Sequence, residues 1–184
     1  SGDEYKVQKE LHLIEVLANE SSETLAGLGL SRLDELEIEG MTQKDGALFF
    51  GLKAPLDSQG RALIWKLARP DDLFAGKSAR DAGLSLYARV ELPLGSGEHV
   101  TRGGVAELLF VGSELAIAST PSSEDVVTGA LFKIASPGAA PTLVKSFSGR
   151  KPEGLAITLR DPKRLVVVFD NGGATGEMTE IPWP

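Results

Sequence analysis

Short apolar segments separated by polar turns dominate the chain, and several of them alternate apolar and polar residues. A period of two is typical of β-strands with one buried face, whereas stripes with the helical period of 3.6 are scarce here. The pattern therefore predicts an all-β protein. Its predicted strands cover residues 9–17, 36–42, 47–53, 62–67, 84–92, 105–111, 114–119, 130–135, 142–147, 154–158, 165–169 and 177–182.

The connecting segments have the composition of loops. Residues 19–31 are rich in Ser, Glu and Gly, and residues 68–83 are polar, so both are predicted to be irregular, with at most one helical turn in the second. Residues 93–97 are predicted to form a turn, and residues 172–176, which are rich in glycine between two strands, a hairpin turn.

A short phrase occurs twice in the sequence. Glu39-Gly40 begins a predicted strand that is followed by the apolar segment 48–52, and Glu153-Gly154 begins another that is followed by segment 165–169. A fainter copy lies between them, with Arg102-Gly103-Gly104 in place of the Glu-Gly pair. Repeats of this kind indicate a radially repeated β architecture.

After the first strand, the predicted strands fall into groups of four, four and three, and four-stranded sheets are the blades of β-propellers. We therefore expect residues 1–184 to form one domain of about three propeller-type blades. Residues 1–32 would be an N-terminal strand and loop, and the strand at 9–17 would supply the outer strand that the third blade lacks.

Three blades do not close a ring, because propellers have about four to eight. Two arrangements remain open for a six- or seven-bladed ring. The chain is half of a propeller whose complementary half is its partner, or two copies form a homodimer that closes one ring and buries open sheet edges. A compact sandwich of the same strands is the alternative fold.

Composition limits the classes of partner and of chemistry that are open to the protein. The net charge of −7 repels phosphate backbones and argues against nucleic acid as a partner. No apolar run approaches the roughly 18 residues of a membrane span. The absence of cysteine excludes disulfides, thiolate nucleophiles and zinc bound by cysteine, and it leaves the compartment (cytoplasm, periplasm or exterior) open.

The candidate site is the pair of repeated glutamates. The first strand of a propeller blade is innermost, so Glu39 and Glu153 would converge near the mouth of a central channel. Carboxylate oxygens are preferred ligands of calcium and magnesium, and Asp170 and Asn171 are near in sequence. Glu39, Glu153 and Asp170 are therefore the candidate ligands of a divalent cation. The alternative is that each glutamate holds backbone N–H groups or a neighbouring cation.

Cationic residues also cluster near these strand starts: Lys53, Arg102, Arg150 and Lys151. If they point into the channel they could bind a phosphate or carboxylate ligand, with arginine giving bidentate contacts. The alternative is that they form structural ion pairs with Glu39 and Glu153, since carboxylates removed from water need such partners.

Ser-His-Asp chemistry is not expected, because His12, on the predicted first strand, and His99, in a turn, are the only histidines and are far apart in sequence. The chain also lacks the Gly-x-Ser-x-Gly pattern of a nucleophile elbow.

Residues 33–184 resemble the C-terminal half of the bacterial DUF3616 proteins. The resemblance rests on the segments IEGMT (38–42), LFFGLKAP (48–55) and GRALIW (60–65), and on PEGLA (152–156) with VVFDNG (167–172). The same segments are similar to the wider class of phytase-like propellers. The resemblance implies a six- or seven-bladed propeller and no established activity. Lys53 stands where the family usually has arginine, and the N-terminal half of the family's domain is not found in this sequence.

The sequence thus predicts a non-catalytic module that binds a small polar ligand or a partner chain. Its site would be a channel mouth lined by Glu39, Glu153, Lys53 and Arg102. The competing hypothesis is a hydrolase of phytase-like type, in which a metal held by carboxylates activates water to attack a phosphate or carboxylic ester. A purely structural chain without a site of its own is the third.

Overall fold

The computed structural model describes residues 9–97, 99–121, 128–170 and 175–184. Within them, twelve strands form three antiparallel sheets, which confirms the all-β prediction. Asn171 and most of the predicted hairpin turn at 172–176 lie outside the described residues. The described helices are all short, and none combines the length and the apolar character that crossing a membrane requires.

The three sheets follow one another along the chain, and each is a meander of neighbouring strands. Sheet 1 contains β1 (Glu37–Lys44), β2 (Ala47–Ala54), β3 (Ala62–Leu67) and β4 (Leu84–Val90). Sheet 2 contains β5 (Pro93–Ser96), β6 (His99–Val111), β7 (Glu114–Pro121), β8 (Thr128–Ile134) and β9 (Thr142–Ser148). Sheet 3 contains β10 (Lys151–Ile157), β11 (Arg164–Asp170) and β12 (Glu177–Pro182).

The prediction of a turn at residues 93–97 is wrong. Residues Pro93–Ser96 form β5, which pairs with the start of β6 through Pro93 opposite Arg102 and Ser96 opposite His99. Proline is tolerated because β5 is an edge strand, where its missing N–H leaves no gap in a ladder. The reversal lies only after Ser96, at Gly97, whose φ is 64°. The second sheet therefore has five strands rather than four.

The prediction of a strand at residues 9–17 is also wrong, because this segment enters helix α1 (Leu13–Ala18). Leu13, Val16 and Leu17 recur at the i, i+3 and i+4 spacing that places them on one helical face, and Leu17 is fully buried. The segment does not supply a fourth strand to sheet 3, which keeps three.

The two segments predicted to be irregular each contain a short helix. Helix α2 (Ser22–Gly27) begins after Ser21, whose hydroxyl accepts a hydrogen bond from the Thr24 N–H at 3.1 Å. Helix α3 (Pro70–Phe74) lies between β3 and β4 and buries Leu73. Its Pro70 stands in the first turn, where a missing N–H costs nothing.

These helices cover one face of sheet 1, which we call its back face. Leu17, Leu28 and Leu73 pack in one buried cluster with Leu63 and Trp65 of β3. The indole Nε1 of the fully buried Trp65 donates a hydrogen bond of 2.9 Å to the Leu28 carbonyl oxygen. The N-terminal segment is therefore part of the core of sheet 1.

The opposite face of sheet 1 packs on sheet 2 through small residues. Gly40 and Gly51 lie against Val105 and Leu108 of β6, and a Cβ atom on Gly51 would overlap Val105. Gly104 of β6 lies against the backbone of Lys53 so closely that a Cβ atom there would overlap the Lys53 carbonyl. Glycine at these positions therefore sets the close approach of the two sheets.

Each sheet contains a β-bulge at an equivalent place. It lies in β1 of sheet 1, in β6 of sheet 2 and in β10 of sheet 3. The pairing of β1 with β2 skips Glu39, that of β6 with β7 skips Ala106, and that of β10 with β11 skips Glu153. The register corrects the sequence alignment of the middle copy, because Ala106, not a residue of Arg102-Gly103-Gly104, takes the place of the repeated glutamate.

Sheet 3 packs on sheet 2 by one face and leaves the other open. Leu165, Val167 and Phe169 of β11 share a buried cluster with Ala116 and Leu131 of sheet 2. The open face, which we call the free face of sheet 3, carries the row Gly154, Val168 and Met178 across its three strands. The side chains of Val168 and Met178 are exposed.

Candidate functional site

The bulges bring four charged residues of the repeats and one threonine to one end of the sheets. Near each bulge lies a residue from the end of the strand that pairs with the bulged one. The register of these pairings makes Lys53 of β2, Thr120 of β7 and Asp170 of β11 equivalent. We call this group the bulge cluster; its members are Glu39, Lys53, Thr120, Glu153 and Asp170. Bulges commonly re-aim a side chain at a functional site, and here they occur in all three sheets.

Lys53 is the buried centre of the bulge cluster. Its ammonium donates a hydrogen bond of 3.2 Å to Oε2 of Glu39 and another to the hydroxyl of Thr120. Its side chain is 11% exposed, whereas that of Glu39 is 43% exposed. The ammonium thus joins sheet 1 to sheet 2, and its pairing with Glu39 is the structural ion pair that the sequence offered as an alternative.

Thr120 is the member that sequence reasoning missed. It is fully buried and neutral, and no charge or motif draws attention to it. Its position in β7 matches that of Lys53 in β2 and Asp170 in β11, so an alignment by bulge rather than by Glu-Gly would have found it. The hydroxyl supplies an acceptor to a buried ammonium that would otherwise have one partner fewer.

Glu153 differs from Glu39 in its electrostatic surroundings. Neighbouring protein atoms remove part of its hydration, and the charges of Asp170 and Glu39 repel a further negative charge, so the pKa of Glu153 is raised. Lys53 and Lys151 act in the opposite direction but do not cancel this effect. Glu153 is exposed to solvent, and among the described residues its carboxylate has no ion-pair partner comparable to the Lys53 ammonium on Glu39.

Lys151 and Asp170 complete the charges at this end of sheet 3. They are directly opposite each other in the pairing of β10 with β11. Together with Lys53, Lys151 provides two ammonium groups against the three carboxylates of Glu39, Glu153 and Asp170. The group carries one excess negative charge, which favours a cationic rather than an anionic ligand.

The two arginines of the predicted channel mouth are engaged elsewhere. Arg102 lies 3.3 Å from Glu91 and packs along Gly60 in the turn between β2 and β3. Arg150 lies 3.2 Å from Glu177, with its guanidinium 5.3 Å from the centre of the Phe169 ring. The structure thus brings Glu39, Lys53, Lys151 and Glu153 together, while each predicted arginine has its own carboxylate partner.

Divalent-cation ligands were predicted at Glu39, Glu153 and Asp170. Across the residues that the structure describes, no three His, Cys, Asp or Glu side chains have the arrangement of a metal site. Asn171, the fourth residue considered from sequence, lies outside those residues. His12 precedes α1, and His99 is the first residue of β6, so neither lies in the bulge cluster.

Comparisons of the chain with protein-family models, with curated proteins and with solved structures give no match. The relation to DUF3616 and to the phytase-like propellers therefore stays a prediction that rests on the motifs. The chemistry of the bulge cluster has to be inferred from its own residues. An exposed carboxylate with excess negative charge around it, beside a partly buried ion pair, is suited to binding a positively charged group.

Proposed function

We propose that this protein is a non-catalytic binding module built from three propeller-type blades. Three features support the propeller relation. Each sheet is an antiparallel meander, the sheets stack face to back, and the strands β1, β6 and β10 contact one another in succession as innermost blade strands do. The bulge at the same position of each of these strands supports a repeated unit.

The ligand group that this module binds is a cation, and its principal contact is Glu153. The observation that carries the proposal is the place of Glu153 at the bulge of sheet 3, beside Asp170 and Glu39, where partial burial and the repulsion from these two carboxylates raise its pKa. A ligand ammonium or guanidinium would relieve the repulsion from Asp170 and Glu39. Lys53 does not compete for this role, because Glu39 and Thr120 already hold its ammonium.

Isothermal titration calorimetry with three probes tests this proposal: argininamide, calcium chloride and magnesium chloride, each at fixed ionic strength. We expect saturable binding of argininamide that is lost or weakened about tenfold in Glu153→Gln, since a hydrogen-bonded charge pair is removed. The matched control is Glu91→Gln, which removes an exposed carboxylate paired with Arg102. Equal binding by wild type and Glu153→Gln, or no binding of any probe, would refute it.

The competing function is hydrolysis of a phosphate or carboxylic ester assisted by a metal. One observation favours it, because a carboxyl group with a raised pKa beside a second carboxylate is also suited to acid–base work. The same titration separates the two. Binding of calcium or magnesium that depends on Glu153, together with hydrolysis of p-nitrophenyl phosphate that the same variant abolishes, would replace the binding module by the enzyme.

The partner we propose is a second copy of this chain, docked on the free face of sheet 3. The face of sheet 1 that carries Gly40 and Gly51 packs on sheet 2, and the equivalent face of sheet 2 packs on sheet 3. The free face of sheet 3 continues this series, and none of the described elements covers it. Beside this apolar row, the same face carries the exposed ion pair Arg164–Glu180, as a polar rim borders an interface core.

The homodimer this face supports differs from the ring expected from sequence. A closed ring of two copies would need the back face of sheet 1 as its second interface, and Leu17, Leu28 and Trp65 bury that face under the helices. Two free faces related by a two-fold axis form an isologous contact that needs no other surface.

Light scattering on a size-exclusion column tests the partner. We expect a mass near twice 19.5 kDa for wild type and near 19.5 kDa for Val168→Glu, whose charge would fall in the contact. The control Leu143→Glu changes a similarly exposed leucine of β9 and should remain a dimer. A monomeric wild type, or a Val168→Glu variant that stays dimeric, would contradict this contact.

A further inference from the structure

A second polar site lies beside the turn between β2 and β3 and shares no residue with the bulge cluster. A cleft of about 380 Å³ opens there between the segment that follows α2 and the turn at residues 55–58. Its lining includes Gly29, Ser31, Asp57, Arg61 and Arg89, with apolar walls from Leu30 and Leu56.

Asp57 is the fixed anion of this cleft. Its side chain is only 9% exposed, and its Oδ1 accepts hydrogen bonds of 2.9 Å from the N–H groups of Gln59 and Arg61. Its Oδ2 accepts from Nε of Arg61 at 2.8 Å. Burial acts to raise the pKa of Asp57, but the hydrogen bonds from Arg61 and Gln59 outweigh it and lower the pKa. Asp57 is therefore ionised and already satisfied.

Arg61 and Arg89 both approach this single carboxylate, which leaves one positive charge in excess. Arg61 uses Nε and a terminal nitrogen on Oδ2 of Asp57, both at 2.8 Å. Arg89 reaches the same oxygen only at 3.5 Å through Nε, outside ordinary hydrogen-bond distance. In the described part of the chain, the guanidinium of Arg89 makes no hydrogen bond, and its side chain is 38% exposed.

The cleft wall beside the Arg89 guanidinium is formed by Gly29, which has no side chain to cover it. Gly29 has φ of +85°, and a Cβ atom there would lie 3.1 Å from Leu63 and 3.8 Å from a terminal nitrogen of Arg89. Ser31 and Ser58 add hydroxyl groups that can donate to an oxygen atom. A planar guanidinium with two free terminal nitrogens is the group that binds two oxygens of one anion.

We propose that this cleft binds the anionic head, a carboxylate or phosphate, of a small ligand, with Arg89 as the principal contact. Arg61 adds positive charge, and Asp57 holds Arg61 in place without facing the ligand with a free acceptor. Leu30 and Leu56 form the apolar surface for the remainder of the ligand. This site is separate from the cation site proposed at Glu153, and the two proposals are tested independently.

Two-dimensional ¹H–¹⁵N NMR with sodium acetate and inorganic phosphate, at ionic strength held constant with sodium chloride, tests the proposal. We expect saturable shifts of the Gly29 and Ser58 amides with at least one anion. The affinity should fall about tenfold or more in Arg89→Gln, because a charged hydrogen bond is lost. Arg150→Gln removes an arginine that is 47% exposed and paired with Glu177, and should bind as wild type does.

A second pair of variants tests the same site without touching its arginines. Ala26 is exposed at the rim of the cleft, so Ala26→Glu adds a repelling charge while Ala26→Gln adds the same bulk without it. We expect the glutamate variant to bind the anion more weakly than the glutamine variant. Shifts with acetate and phosphate distinguish a carboxylate from a phosphate site. No saturable shift at Gly29 and Ser58 with either anion, or equal affinity in the charged and neutral variants, overturns the proposal.

Discussion

Lys53 and Thr120 hold equivalent positions in two neighbouring sheets, and the ammonium of Lys53 donates a hydrogen bond to the hydroxyl of Thr120. The same ammonium binds Glu39 at 3.2 Å. One buried cation therefore satisfies the bulge carboxylate of sheet 1 and ties sheet 1 to sheet 2. Among the described residues, Glu153, the equivalent carboxylate of sheet 3, has no ion pair of this kind, and its pKa is raised.

Lys53→Met should destabilise the fold by about 1–3 kcal/mol, because it leaves the buried Thr120 hydroxyl and the half-buried Glu39 without their donor. Methionine preserves most of the side-chain volume, so the effect reports the lost ammonium. Urea denaturation followed by circular dichroism measures the change. The exposed Lys145→Met is the control, and a Lys53→Met variant as stable as that control would show that the ammonium does not tie the sheets together.

Glu153→Gln should stabilise the protein at pH 7 by a few tenths of a kcal/mol, about 0.5 kcal/mol at most, because solvent screens an exposed charge. The raised pKa means that the folded state holds the Glu153 proton more tightly than the unfolded state. The stability that this proton contributes is full below the unfolded pKa and is lost as pH rises through the folded pKa.

The pH dependence separates this effect from a change in packing. The advantage of Glu153→Gln over wild type should therefore appear only as pH rises above the usual glutamate pKa of 4.5, and should disappear below it. Melting temperatures measured from pH 3 to pH 8 give the comparison. An advantage that persists unchanged at pH 3 would mean that the carboxylate charge is not its cause.

Gly104→Ala should cost about 1–3 kcal/mol or more, because its methyl group would overlap the Lys53 carbonyl across the interface of sheets 1 and 2. Backbone cannot rotate away as a flexible side chain can. Gly138→Ala is the matched control, since a Cβ atom there meets nothing within 4 Å. Chemical denaturation of both variants checks the pair, and equal stability of the two would argue against the close approach of β6 to β2.

Leu17→Ala should destabilise the protein by about 2–5 kcal/mol, which is the range for truncating a fully buried leucine. The result would show that the N-terminal helix belongs to the core of sheet 1. Leu159→Ala, at a fully exposed leucine, is the control and should change the free energy of unfolding by less than about 0.5 kcal/mol. A Leu17→Ala variant as stable as this control would contradict the conclusion that the helix is part of the core.

Most strands could be predicted from sequence because their apolar residues alternate or form short runs between turn residues. The prediction for 62–67 coincides with β3, and most other strands differ only at their ends. The failure at residues 9–17 has a physical cause. Leu11 and Leu13 alternate like a strand, while Leu13, Val16 and Leu17 fit a helix equally well, and only packing on sheet 1 decides between them.

The residues of the candidate site could be predicted where the sequence repeat is recognisable, and could not where the repeat shows only in the strand register. Glu39 and Glu153 stand out because each precedes glycine, and the structure places both at bulges. The role of Thr120 depends on register, which changes at Ala106 by one residue that no sequence pattern marks. Arg102 and Arg150 were grouped with the site by sequence proximity, and their side chains turn to Glu91 and Glu177 instead.

The most direct test of the binding site is a residue-specific pH titration of the Glu153 carboxyl carbon by ¹³C NMR, without and with argininamide. We predict a pKa above the usual glutamate value of 4.5 in the free protein, and a lower pKa when the cationic probe is bound. A Glu153 pKa at or below 4.5 in the free protein would contradict the account, because the carboxylate would then already have its balancing charge. The same contradiction would follow from a raised pKa that saturating argininamide leaves unchanged.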